Sequence, residues 1–483
     1  METVTTIRTV NAAAPRTERW YRAVWRWHFY AGLFCLPFVL WLSVTGGIYL
    51  FKPQIEGLLY APFRDVASGP APALAPATIA ARAVAAVPGS VLHKYVLPEA
   101  KGDAVEVLVG QGTDEVRVWV HPQTGRVLHQ VAEEDRLMRV VFRLHGELLA
   151  GNRGSALVET AACWTIVMLL TGLFLWWPRQ TGGKLAGVVY PRLRRGRALF
   201  WRDIHAVTGL WISLGALFLI ASGLPWANAW GDYFRDIRAV TGTLEGVQDW
   251  SAGSAADADR RAIADAGMRA MMAEHAEHGA QSAMTMPGGM MMAAPEAMTA
   301  PGEKALDAVV AQAQGLHFAA PVEVSPPMAE GALWQVRSQA ENRPARDSAE
   351  ISGDGRLVGV QRFGQRHWID RAVGYGVAVH EGAWWGLANQ LVNLAVLLGL
   401  VMLCLSSVVL WWRRRPDRVL GAPAAFAPLR HSWLLVALVF ALALAMPLFG
   451  LSLALAAALE GAGKRLAPRL GAWMGWRSPR ISS

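Results

Sequence analysis

Five stretches of this sequence contain no Asp, Glu, Lys or Arg, and each is long enough to cross a bilayer. They lie between Arg26 and Lys52, Glu159 and Arg179, Asp203 and Asp232, Glu381 and Arg413, and Arg430 and Glu460. A hydrocarbon core of roughly 30 Å takes about 20 apolar residues in a helix, because every backbone polar group must be satisfied within the segment. The pattern therefore predicts a membrane α-helical bundle of about five transmembrane helices, at 25–51, 155–178, 203–230, 383–412 and 432–459. The first run is too long for a signal-peptide core and no small-residue cleavage site follows it cleanly, so it reads as an anchor.

Basic residues beside a span resist translocation, and their placement predicts orientation. Arg16, Arg22 and Arg26 precede the first span, seven Lys and Arg between Arg179 and Arg202 fill the link from the second to the third, and Arg413, Arg414, Arg415 and Arg418 follow the fourth. The N-terminus (1–24) and the links 179–202 and 413–430 are thus expected to be cytoplasmic, and 52–150 and 231–380 to lie outside. That distribution accounts for the net charge of +9 without nucleic acid as a partner. The tail, 460–483, conflicts with it. One fifth crossing would carry Lys464, Arg465, Arg469, Arg477 and Arg480 outward, unless Pro447 breaks the last segment into something other than one span.

The chain is also duplicated. His28 and His205 are each followed by a glycine after four residues (Gly32, Gly209) and another after eighteen (Gly46, Gly223). His145 and His380 each precede the second residue of a Trp-Trp pair, Trp177 and Trp412, by thirty-two. One boundary histidine is ordinarily an interfacial anchor, but four in duplicated register at membrane depth suggest a task, and haem iron is the usual occupant of such pairs in a helical bundle. By the topology above, His28 and His205 share the inner end and His145 and His380 the outer, so two haems at two depths are expected. Gly32, Gly46, Gly47, Gly209 and Gly223 would admit a flat macrocycle. Arg22, Arg26 and Arg202 inside, and Arg143 and Arg366 outside, are the candidate propionate partners. His367 is a candidate lining residue of the outer site, and His431 another possible ligand. Cys35, Cys163 and Cys404 all fall in apolar spans and no C-x-x-C-H occurs, so any haem is non-covalent haem b.

The outer segments repeat as well. Residues 76–86 and 304–314 predict short amphipathic helices. Val116 to Val120 with the run after Gly125, and the counterpart 349–357, predict strand–turn–strand units. Two small α+β modules result. The second carries a Met/His-rich insertion, 268–298 with the neighbouring positions holding nine of the sixteen methionines. If Ala262 to His278 is helical, Met271, His275 and His278 share a face with ligands suited to Cu(I). The alternative is a low-complexity insertion with no ligand.

The early histidine, the outer α+β module, the motifs His145-Gly146-Glu147 and His380-Glu381-Gly382, the Trp-Trp exit and the second copy of the whole resemble the PepSY-associated transmembrane family over about residues 20–416. The resemblance implies PepSY-like outer modules and a bacterial inner-membrane protein of the iron-uptake type. It further implies haem at His28, His205, His145 and His380, and reduction of a ferric siderophore delivered by a TonB-dependent uptake system. No G-x-G-x-x-G strand–helix unit, Walker A, H-E-x-x-H or G-x-S-x-G is present, so electrons are expected from quinol in the membrane lipid or from a separate cytoplasmic reductase. Two other readings stay open: copper handling through the Met/His tract, and a membrane module without redox chemistry.

Overall fold

The structure, a computed structural model, describes residues 16–66, 71–100, 102–177, 185–244, 301–327, 332–416, 419–423 and 433–476. Its helices are α1 (Arg16–Tyr49), α2 (Lys52–Arg64), α3 (Pro76–Ala86), α4 (Leu137–Glu147), α5 (Gly151–Trp176), α6 (Arg197–Gly223), α7 (Asn228–Val240), α8 (Pro301–Gly315), α9 (Trp368–His380), α10 (Leu387–Arg414), α11 (Trp433–Ala445), α12 (Pro447–Leu466) and α13 (Pro468–Trp473). The strands are β1 (Val91–Val96), β2 (Val105–Gln111), β3 (Asp114–Val120), β4 (Val127–Ala132), β5 (Val322–Ser325), β6 (Trp334–Ser338), β7 (Ser348–Ile351) and β8 (Leu357–Gln361). Two compact units divide the chain: a helical one of Met1–Gly47, Arg143–Phe234 and Leu391–Ser483, and a second of Ile48–Phe142 and Arg235–Gln390.

In the helical unit, four segments are long and apolar enough to cross a membrane: Trp20–Tyr49, Gly151–Trp176, Arg197–Trp226 and Leu387–Arg414. They turn large apolar side chains outward, with Trp211, Leu214 and Leu398 exposed, as lipid-facing helices do. Small residues bring backbones together where helices meet. A Cβ at Gly215 would lie 2.7 Å from Val396, and one at Gly399 would lie 2.6 Å from Ile212, so α6 and α10 each present a glycine to the other.

The last apolar run is not one span. Proline has no N–H to donate and its ring clashes with the preceding turn, and the helix breaks at Met446, so that α11 and α12 are separate helices packed on one another. A Cβ at Gly450 would come 2.9 Å from that of Ala443, which shows how closely the two approach. At the turn, Trp230 Nε1 donates to Ala445 O (2.9 Å) and Tyr233 OH donates to Leu444 O (2.9 Å), beyond the C-terminal end of α6. After α12 the chain is back at the opposite end: Tyr30 OH donates to Met474 O, Arg26 Nη1 to Pro423 O (2.8 Å) and Leu420 N to Trp473 O (3.0 Å). The segment goes out and returns. Lys464, Arg465 and Arg469 therefore lie toward the end where α1 carries Arg26, and the conflict posed by a fifth single crossing disappears.

The second unit corrects the expectation of two separate modules. Each half supplies one helix and a four-stranded antiparallel meander, but the strands form a single eight-stranded sheet in the order β4-β3-β2-β1-β5-β6-β7-β8. The seam pairs Tyr95 with Val324 and Val96 with Glu323. An isolated β1 or β5 would have left a row of unpaired backbone groups, and pairing them removes both edges at once. The helices α3 and α8 pack side by side over one face. Ile79, Ala83, Val309 and Ala313 are buried there against Val107, Val118, Val324, Val336 and Ile351. At about 1.5–3 kcal/mol for each large apolar side chain fully buried, this shared core is what binds the halves together. Ala77 N also donates to Asp307 Oδ1 (2.8 Å), which ties the start of α3 to α8.

Candidate functional site

Two of the four predicted histidines meet directly. His28 on α1 and His205 on α6 have ring centroids 6.5 Å apart, with planes at 82°. Two metal–nitrogen bonds of about 2 Å each, plus the distance from each nitrogen to its ring centre, add up to roughly that span. The donor set also has the right chemistry. His28 Nδ1 lies 3.1 Å from the carbonyl oxygen of Met168, a group that only accepts, and 3.1 Å from Thr171 Oγ1. Thr171 uses its own hydrogen on Val167 O (2.8 Å), one turn back in α5. The Met168 carbonyl therefore fixes a hydrogen on His28 Nδ1 and turns Nε2 to the other side of the ring. His205 is held alike: Nδ1 lies 3.0 Å from Ser406 Oγ on α10, and Ser406 donates to Leu403 O (3.1 Å). Neutral imidazole with Nδ1–H tied down and Nε2 available is the form that ligates metal.

His145, near the C-terminal end of α4, repeats the arrangement at the other end of α1. Its Nδ1 lies 3.0 Å from Thr45 Oγ1, and Thr45 donates to Trp41 O (2.9 Å). Thr45 follows His28 by seventeen residues, about 26 Å along a helix axis, so the chain holds imidazoles at two depths. Gly46 makes room for this ring, since a Cβ there would approach His145 Cε1 to 3.0 Å. Gly172 does the same for His28 at 3.1 Å, a role not anticipated from sequence. Gly32, Gly47 and Gly209 face Met168, Leu397 and Leu403 instead.

His380 ends α9 in the sheet-containing unit, and the next residue anchors it. Arg343 grips Glu381 with two nitrogens, Nε to Oε2 at 3.3 Å and Nη2 to Oε1 at 3.2 Å. Burial on its own would raise the Glu381 carboxyl, but the Arg343 guanidinium beside it holds it below the usual range. Asn389 Nδ2 donates to Val379 O (3.0 Å), fixing the last turn from the other side. His367 is accounted for by local structure: it caps α9, its Nδ1 accepting from Ile369 N (3.3 Å).

The candidate arginines are less uniform. Arg26 is committed to Pro423 O and lies 5.1 Å from the centroid of the Tyr30 ring. Arg22 lies one turn earlier on α1, Arg143 faces Glu147 at 3.9 Å, and Arg202 is exposed on α6. Arg192, from the basic link, was not foreseen: it makes three hydrogen bonds to the buried Asp203, at 2.6, 2.8 and 3.1 Å, and pins the start of α6 two residues before His205. Met271, His275, His278 and His431 lie outside the described residues. Among the described residues no three or more His, Cys, Asp or Glu side chains cluster as a metal site.

Thr171, Ser406 and Thr45 were missed by sequence reasoning, although a signal exists. Thr171 precedes Trp176 by five residues and Ser406 precedes Trp411 by five, so both stand at one position of the repeat. Compared with known proteins, residues 25–414 match the family model described as the PepSY-associated TM region. No curated protein matches the chain.

Proposed function

Since this chain belongs to the PepSY-associated TM region family, we propose that it is a di-haem b electron-transfer protein of the bacterial inner membrane that reduces a ferric siderophore on the outer face. The observation that carries this reading is the His28–His205 pair, two imidazoles with ring centroids 6.5 Å apart on helices from opposite halves of a duplicated bundle. His28 and His205 would hold the inner haem, and His145 and His380 the outer one. Bound haem b supplies reversible one-electron Fe(III)/Fe(II) chemistry. The chain's own contribution is to orient the imidazoles through Nδ1, to keep water from the inner pair with apolar helix, and to hold the two sites at different depths. Electrons come from quinol or a cytoplasmic reductase, and the N-terminus and basic links face the cytoplasm. Reducing the substrate iron weakens its hard-oxygen chelation and releases it for transport.

The test is the reduced-minus-oxidised visible spectrum of the purified full-length protein. His28→Ala and His205→Ala should each remove the same half of a b-type signal, and His145→Ala and His380→Ala the other half. A wild-type protein with no haem signal, or a signal that survives all four substitutions, overturns the proposal.

A further inference from the structure

Ser and Thr in apolar helices commonly return their hydroxyl hydrogen to a carbonyl one turn back. What singles out Thr171, Ser406 and Thr45 is that each does so while its oxygen meets a histidine Nδ1, at 3.1, 3.0 and 3.0 Å. With the hydrogen spent on Val167 O, Leu403 O and Trp41 O, each hydroxyl is left as an acceptor. Thr171 and Ser406 occupy one repeat position. Thr45 follows His28 by seventeen residues, and Ser222, which follows His205 by seventeen, is back-bonded in the same way to Phe218 O (2.7 Å). A carboxylate would do this work more strongly, but a fixed charge inside an apolar span is costly. A back-bonded hydroxyl accepts one hydrogen bond and brings no charge.

We propose that Thr171 and Ser406 are positioning residues that lower the reduction potential of the inner haem, and that Thr45 does the same at His145. This rests on the haem reading above. An acceptor at Nδ1 makes the imidazole a stronger electron donor through Nε2, which favours ferric over ferrous iron, and it fixes the ring orientation. The two inner histidines are held alike: each also meets a backbone carbonyl three residues before its hydroxyl partner, Met168 for His28 and Leu403 for His205. Loss of either hydroxyl should therefore have a similar effect.

The experiment is a spectroelectrochemical titration of the full-length holoprotein carrying Ser406→Ala, Thr171→Val and Thr45→Val, with Ser406→Thr and Thr171→Ser as conservative partners. Ser406→Ala should shift the ferric/ferrous equilibrium of the inner haem about tenfold toward ferrous, roughly 59 mV upward for one electron. Thr171→Val should shift it in the same direction by a similar amount, and Thr45→Val should move the other haem alone. The conservative variants, which keep an acceptor and report on packing, should stay at the wild-type value. Unchanged potentials in Ser406→Ala and Thr171→Val, or equal shifts in the conservative variants, overturn this inference while leaving the haem assignment intact. A wild-type protein without haem overturns the haem assignment itself.

Discussion

At the residue scale, the histidines are positioned by contacts that tolerate little added volume. An alanine at Gly172 or Gly46 would place its Cβ 3.1 or 3.0 Å from a histidine Cε1, closer than ordinary van der Waals contact, so the ring must move by a few tenths of an ångström. Gly172→Ala should lower occupancy of the inner site and Gly46→Ala that of the outer, each about tenfold, the usual scale for a disturbed ligand surround. Gly146→Ala, which meets nothing within 4 Å, should leave occupancy unchanged. Haem content per protein by pyridine haemochrome checks all three. The matched spacing of His28, His205, His145 and His380 was legible in the sequence because register is a one-dimensional property, and the structure brings His28 and His205 together. Gly172, Thr171 and Ser406 were not singled out, since a glycine or hydroxyl in an apolar run means nothing until the facing helix is known.

At the element scale, local pattern served well where an element answers to its own residues. The short helix expected at 76–86 is α3 with the same limits, and the strand–turn–strand after Val116 is β3 and β4, closed through Gly125 at φ +68°. The last apolar run was harder. Hydropathy sees 29 uncharged residues from His431 to Leu459 and reads one crossing, whereas Pro447 makes two helices of them. The out-and-back path predicts that the end of α12 labels from the same membrane side as the start of α1. Leu466, which is 84% exposed, is the place to test it. Leu466→Cys should react with an impermeant maleimide in the same preparation, intact cells or inverted vesicles, as a cysteine placed before α1. Reaction from opposite sides would show a single crossing.

At the scale of the whole molecule, the two halves of the sheet-containing unit are one folded body, held by a shared core on one face of the sheet and a charge network on the other. Arg117 reaches Glu106 and Glu133, Arg136 reaches Glu133 and Glu56 (both 2.7 Å), and Lys52 reaches Glu341 in the other half (2.8 Å). Burial by itself would raise the Glu133 carboxyl, but Arg117 and Arg136 outweigh it and hold it at about 2, against 4.5 unperturbed. A carboxyl depressed on folding stabilises fully above its unfolded value, and the benefit is lost as pH falls from about 4.5 toward 2. The difference is worth at most about 3 kcal/mol. Thermal unfolding of the full-length protein followed by circular dichroism should thus show a lower Tm at pH 3 than at pH 6. Glu133→Gln should lower the Tm at pH 6 and flatten the dependence.

The sequence by itself determined that the chain is a duplicated membrane protein with a histidine at equivalent points of each copy, because apolar run length and register need no knowledge of the fold. Tertiary structure alone decided that β1 and β5 pair to make one sheet and that the tail turns back at Pro447. It also decided which hydroxyl on which neighbouring helix holds each imidazole. Each of these is a contact between residues distant in the chain, and its free energy exists only once the partner is in place.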